Sequence, residues 1–447
     1  MQSHKTISEF LSNEYRDFSL YVIENRAIAS VVDGLKPVQR KILHVSNRTW
    51  RSGSEKTLKV FQLCGKVASE AFYHHGDASL SSAIVNLAQS FKNNLPLMEE
   101  DGQFGSLRVP EPSSPRYIGT RLHPNFRLVY KDFDLLSPRE EEGEEIEPEF
   151  FLPVVPMILV NGSSGIAVGF SSNILGRDPV GMIAACEALV RGKKVPFVSP
   201  MIPGFSGSFT QDPDNPKRWI ISGSFARVNT TTVRVTELPP SMTLEKYEQL
   251  LDDLVDRKSI VGYDNNCRDR VDFVVKMTRE SLSGASDEDL VRMLKLEEYK
   301  TEIFCTLDET GKLRIFDTWQ ELAAHFVAFR LGFYTLRKQR IIEGLEREIG
   351  ILSNRARFVR AIVEGDLEVR DRPRANIVAA LDGMSFDKVD GGYDYLLRMP
   401  IWSLTKEHYE KLLAELGSTR SSLELARAAE PRDMYLEDLQ DLRKRIK

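Results

Sequence analysis

Residues 319 to 364 contain no proline and carry apolar side chains at a regular helical spacing. Leu322, Phe326, Phe329, Phe333 and Leu336 alternate steps of four and three. The phase slips near Arg337 to Arg340 and resumes at Ile342, Leu345, Ile349, Leu352, Ala356, Val359 and Val363. That is a heptad-like seam with a stutter, and it demands a helix far longer than a compact domain needs. A second helical segment, 405 to 429, shows Tyr409, Leu412, Leu413 and Leu416 on one face. A region rich in Gly, Asp and Pro separates the two. The pattern predicts an antiparallel coiled coil carrying a small globular knob. The alternative is the core of an ordinary helical domain, and length and spacing favour the coiled coil.

The rest of the 447 residues leaves room for two further domains at about 150 residues each. The stretch 6–32 reads as a helix with Phe10, Leu11, Phe18, Tyr21, Val22 and Ile23 on its apolar face. The breakers Gly34 and Pro37 end it. Helices are expected at 38–49 and 79–91, the latter with Leu80, Ile84, Leu87 and Phe91 in phase. Short helices joined by tight turns and followed by a hairpin-like stretch fit a winged-helix domain. The acidic run 139–149 reads as a solvated loop and a boundary. Beyond it, 154–160 and 232–235 look like strands punctuated by glycines, a mixed α/β segment.

Several chemistries are excluded by what is missing. The sequence has no GxxxxGK[ST] loop, no GxGxxG and no HExxH. Cys64, Cys186, Cys267 and Cys305 form no CxxC pair, which points to packing cysteines in a reducing, cytoplasmic setting. No run approaches the roughly 18 apolar residues of a membrane span. The DxD triplets at Asp132 and Asp212 read as surface loops. Residues 1–130 hold 16 Lys and Arg against 12 Asp and Glu, and the remainder 44 against 53. A locally basic first third can hold a polyanion while the rest keeps the chain soluble.

Within that basic third, Ser114-Pro115-Arg116-Tyr117-Ile118 stands out. A phenol with a pKa near 10 is a poor nucleophile at neutral pH. An adjacent guanidinium favours the phenolate and offsets charge developing on a phosphate. Arg116 and Tyr117 could thus transesterify a phosphodiester, although the dipeptide alone is common. Tyr73-His74-His75-Gly76-Asp77 opens a helix, a position suited to phosphate. Arg26, Lys36, Arg40 and Lys41 cluster about the Asp33-Gly34 turn as candidate backbone contacts.

Taken in order, these segments resemble the breakage-reunion subunit of type IIA DNA topoisomerases. The resemblance rests on Asn25-Arg26-Ala27-Ile28, Asp33-Gly34-Leu35-Lys36-Pro37-Val38-Gln39-Arg40 and Tyr73-His74-His75-Gly76-Asp77. It continues through Asp101-Gly102-Gln103-Phe104-Gly105-Ser106, Ser114-Pro115-Arg116-Tyr117-Ile118, Asn161-Gly162-Ser163-Ser164-Gly165-Ile166 and Thr236-Glu237-Leu238-Pro239. It implies an α+β multidomain chain. An N-terminal helical arm would span 1–30, a winged-helix DNA-cleavage domain 31–148, a mixed α/β tower domain 149–318, and a coiled coil with a dimerisation knob 319–447.

Residue by residue, the resemblance implies Tyr117 as nucleophile of a 5′-phosphotyrosyl link and Arg116 as stabiliser of the transition state. Arg26, His74 and His75 would position the scissile phosphate, and Lys36, Arg40 and Lys41 would grip the backbone. Ile166 would be an apolar wedge that kinks the duplex. Mg²⁺ and ATP would both be bound by a partner subunit with ATPase and toprim modules, in a heterotetramer built on a homodimer of this chain. The histidine and tyrosine motifs look more like the eukaryotic and T-even phage branch than the bacterial one. The sequence ends soon after the second coiled-coil helix, which implies relaxation or decatenation without DNA wrapping and a phage-type medium subunit. Where bacterial subunits meet quinolones through a Ser and an acidic residue, Ala78 and Ser82 stand here. The competing expectations are a catalytically inactive DNA-binding scaffold of the same fold and, less in keeping with the ordered motifs, a tyrosine recombinase.

Overall fold

The computed structural model describes residues 6–51, 56–369 and 372–446. The chain divides into two compact units, Met1–Arg330 with Leu436–Lys447, and Leu331–Tyr435. The expected domains 31–148 and 149–318 therefore share one unit. The first five residues of the expected arm lie outside the described residues.

The N-terminal helical run alternates α-turns, Ile7–Phe10 and Arg16–Val22, with π-turns, Leu11–Tyr15 and Ile23–Ala27. It stops five residues short of the predicted end. Ala29 and Val31 instead exchange backbone hydrogen bonds with Leu307, and this pairing holds the segment extended. The predicted apolar face is also not a core face: Phe10, Leu11, Phe18 and Tyr21 are exposed, and only Ile23 of the clear apolar positions is buried.

Past the turn, Gly34 adopts φ +72°, and a Cβ there would lie 2.5 Å from the Ile158 nitrogen. Only glycine fits that approach and that backbone angle. Helices Pro37–Thr49, Val60–Glu70 and Asp77–Ala88 follow. They bury Ile42, Leu43, Val60, Leu63, Leu80 and Ile84. A three-stranded antiparallel sheet accompanies them, with Gly119–Leu122 between Leu58–Lys59 and Met98–Asp101.

Two expectations fail nearby. The acidic run is a β-hairpin, Pro138–Glu141 paired with Glu144–Pro148, not a loop. Its tip acids are exposed, but Ile146 and Glu147 are buried against the Pro37–Thr49 helix side. A run of glutamates offers no apolar alternation from which to read a strand. The supposed strand 154–160 is not one: the short strand Leu152–Pro153 ends before it, Val154 and Val155 bend, and Met157–Val160 form a helical turn, all four buried. A short buried apolar run does not distinguish helix from strand by periodicity.

The remaining β-structure of this unit is legible. Thr232–Glu237 lies inside a four-stranded antiparallel sheet, between Ser224–Asn229 and Phe273–Lys276, with Gly262–Asn265 outermost. Val233 and Val235 alternate inward onto Tyr247, Leu251 and Phe273. A second sheet orders Ser208–Gln211, Arg218–Ser222 and Glu297–Thr301.

The long helix is real: Trp319–Glu364 is continuous, and within the second unit Lys406–Ala428 runs antiparallel to its second half. Leu352, Ala356 and Val359 share one cluster with Leu412 and Leu416, while Arg427 bonds Glu346. The seam does not hold throughout, because Leu336 and Val363 are exposed. Between the helices a small core gathers Phe358, Ala361, Leu381, Phe386, Tyr393 and Leu396. The helix Pro431–Arg445 was not expected from the sequence. Its far part returns to the first unit, where Asp438 accepts from Lys131 at 2.9 Å.

Candidate nucleic-acid interface and nucleophile

Tyr117 sits on a strap leading into the central strand Gly119–Leu122, and three-quarters of its surface is exposed. The strap is pinned from both sides. Tyr117 N–H donates to the Ser114 carbonyl at 2.9 Å, and Phe61 N–H to the Pro115 carbonyl at 3.2 Å. Val60 N–H donates to the Ile118 carbonyl at 3.1 Å, and Ile118 is buried. Lys59 Nζ donates to the Tyr117 carbonyl at 2.8 Å. Backbone bonds and one buried neighbour therefore fix an aromatic side chain that itself stays in solvent. Arg116 beside it is also exposed. Lys59 was not singled out by sequence, since its partner lies 58 positions away and no local pattern encodes it.

A second group forms around His75. Arg26 Nη2 lies 3.3 Å from His75 Nδ1, and Tyr21 Oη lies 2.9 Å from His75 Nε2. Tyr73 packs edge-on to the same ring. Partial burial, then the charges of Arg26 and His74, lower the His75 pKa from its ordinary value. His74 is exposed and faces Glu141 of the acidic hairpin at 3.7 Å.

The wedge candidate adjoins this group. Ser163–Ile166 pairs with Ser171–Ile174, and Ile166 is 88% exposed at the end of its strand. Lys36 Nζ donates to the Ser164 carbonyl at 2.7 Å, and burial lowers the Lys36 pKa. A Cβ on Gly165 would lie 1.9 Å from the Ala27 carbonyl oxygen, so the hairpin touches the backbone beside Arg26. Ala167 at the turn packs against the cluster of Ile23, Ala27, Ile28, Cys305 and Leu307.

Two expected backbone grips are redirected. Arg40 is buried, and its guanidinium bonds both oxygens of buried Asp33, Nε to Oδ2 at 2.7 Å. A charge so enclosed and paired stabilises the Asp33 turn and is not offered to DNA. Lys41 Nζ is engaged by the Ala71 carbonyl at 2.5 Å and Glu147 at 3.1 Å. Asp132, expected on a surface loop, is enclosed and bonds buried Arg330 at 2.6 Å. Asp212 is likewise buried and pairs with Arg218.

The structure thus brings Arg26, His75, Lys36 and the wedge hairpin together. It keeps the Tyr117 strap at the other end of the helix Val60–Glu70, whose 11 residues span about 16 Å. Among the described residues, no group of three or more His, Cys, Asp or Glu is placed to hold a metal ion, and no helix is long and apolar enough to cross a membrane.

The chain belongs to the family of DNA gyrase and topoisomerase IV A-subunits, whose model matches residues 26–440. Within that family its relatives are type II enzymes. It is 32% identical to DNA topoisomerase 2 of Penicillium chrysogenum, over 98% of this chain and 30% of that protein. It is 32% identical to DNA topoisomerase 2-alpha of Gallus gallus, with the same two coverages. The DNA-binding, cleavage and re-ligation domain of Plasmodium falciparum topoisomerase II superposes with a TM-score of 0.84 at 30% identity. That match covers 98% of this chain and 64% of the other. The chain spans about a third of the length of the curated relatives it matches.

Proposed function

We propose that this chain is the DNA-cleaving and religating part of an ATP-dependent type IIA topoisomerase, with Tyr117 as nucleophile. Tyr117 Oη attacks a backbone phosphorus, the P–O3′ bond breaks, and the phenolic proton is lost as the 3′-oxygen gains one. The 5′-phosphotyrosyl link keeps the bond energy of the phosphodiester, so rejoining is the same step reversed. Arg116 offsets the charge on the pentacovalent phosphate. Arg26 and Lys36 hold the DNA backbone near the wedge, His75 positions that group through its bonds to Arg26 and Tyr21, and His74 and Ile166 complete the DNA contacts. The observation that carries this reading is the exposed phenol of Tyr117 on a strap fixed by backbone bonds and the buried Ile118, with no part taken by the phenol itself.

Two copies of the chain would supply one Tyr117 per strand. The length of the helix between the strap and the His75 group supports a site shared across copies, since one chain does not bring the two together. The paired long helices would form a coiled coil whose knob carries the second contact between copies; the exposed indole of Trp402 favours this. Mg²⁺ and ATP would be held by toprim and ATPase modules, either on a separate polypeptide, the arrangement of T-even phage enzymes, or in the remainder of a longer chain. The setting would be cytoplasmic.

The test is to mix the chain, an ATPase/toprim partner, Mg²⁺ and supercoiled plasmid, then trap with SDS and digest with protease. Linear DNA with protein on its 5′ ends supports the reading. Tight DNA binding with no adduct under any condition would move it to an inactive scaffold.

Ile166→Ala should leave duplex affinity within about threefold but lower cleavage about tenfold or more, because lost kinking removes contacts made only in the bent state. Bend angle by fluorescence transfer checks it; an unchanged angle sinks the wedge. Ser82 Oγ donates back to the Ala78 carbonyl of its own helix at 2.9 Å, and neither position offers a carboxylate. Ciprofloxacin should therefore stimulate cleavage weakly, and potent stimulation at low micromolar dose would refute this.

A further inference from the structure

Both ring nitrogens of His75 are occupied, and the chemistry of their partners orders the protons. A guanidinium has only N–H groups to offer, so toward Arg26 the His75 Nδ1 is the acceptor and carries no proton. The ring proton is then on Nε2, where it donates to Tyr21 Oη. The lowered pKa of His75 agrees with a neutral ring. The edge-on Tyr73, with centroids 5.3 Å apart, holds the imidazole plane. What this series leaves uncommitted is the hydroxyl hydrogen of Tyr21, whose side chain remains 40% exposed. The same segment abuts the wedge hairpin, through Ala27 against Gly165.

Resting on the DNA-cleavage reading, we infer that Tyr21 is a DNA-contacting residue whose hydroxyl donates to a backbone phosphate, with His75 as the connector that links it to Arg26. Each hydrogen bond in such a series polarises the next. A phenol at the end of a guanidinium–imidazole chain is therefore a stronger donor than an isolated one. His75 then acts through Tyr21 and is a positioning residue. Arg26 keeps its other N–H groups for a phosphate of its own, as a cation.

Tyr21→Phe keeps the ring beside His75 and removes only the hydroxyl. The full chain, titrated against a fluorescein-labelled duplex over a salt series, reads the effect. Tyr21→Phe should weaken binding about tenfold at every salt concentration, the scale of a hydrogen bond to a charged acceptor. The slope of log K against log salt should not change, because no cation is lost. Arg26→Ala should flatten that slope by about one unit. His75→Ala should lose about as much as Tyr21→Phe, and the double variant no more than either, since links in series do not add. Wild-type affinity in Tyr21→Phe, or losses that add in the double variant, overturns the inference while leaving the cleavage reading intact. A wild-type chain that binds no duplex overturns both.

Discussion

Tyr117→Phe should abolish the covalent DNA adduct while leaving duplex binding within about twofold of wild type and stability within about 0.5 kcal/mol. The phenol makes no hydrogen bond that holds the strap; the bonds at Ser114, Pro115, Ile118 and Lys59 are all to backbone atoms. Phenylalanine keeps those bonds and the ring, so only the attacking oxygen is lost. Removing a covalent nucleophile elsewhere costs on the order of a millionfold in rate, far below what gel trapping detects. The assay is SDS trapping of labelled plasmid with the partner and Mg²⁺ present, run beside binding by anisotropy. Persistent adduct in Tyr117→Phe would mean that another residue attacks. Loss of binding in step with loss of adduct would mean that the strap, not the oxygen, was damaged.

The second large effect is on stability. Arg177 is fully buried and bonds Glu302 at 2.7 Å, with its guanidinium over the rings of Trp319 and Phe304. Glu302 also accepts from the Trp219 indole at 2.9 Å and from Leu175 N–H at 3.1 Å. Glu302→Ala strips the acceptor from three donors, two of them buried, and leaves an uncompensated cation. Breaking a buried pair from one side costs roughly 3–5 kcal/mol. The transition of the unit that contains them should move to lower urea by that amount. Glu302→Gln, which keeps one acceptor oxygen, should lose less. A loss below about 1 kcal/mol in Glu302→Ala would show that water or a neighbouring group takes over.

Neither Arg177 nor Glu302 drew notice in the sequence, and the reason is general to this chain. Local order was legible where periodicity ran long: the helix Trp319–Glu364 and the alternation through Val233 and Val235 follow from spacing alone. The candidate site was legible only as motifs. Which charges face solvent depends on partners far along the chain. Arg40 looks like a free cation until Asp33 and its turn enclose it, and Lys41 until Glu147 arrives from 106 positions away. Tyr21 read as an apolar helix position because its partner, His75, is 54 residues on. Short buried runs such as Met157–Val160 stay ambiguous because burial on all sides erases the period that separates helix from strand.

The wedge hairpin touches the segment that carries Arg26, through Gly165 against Ala27 and Lys36 against Ser164. With so little freedom between them, prying apart a base step and seizing the neighbouring phosphate become one motion in the proposed reaction. A stiff duplex would resist the pry and so forfeit the grip. The protein would then choose where to act by how readily DNA yields, favouring flexible pyrimidine–purine steps over rigid A-tracts, without reading the edge of a single base.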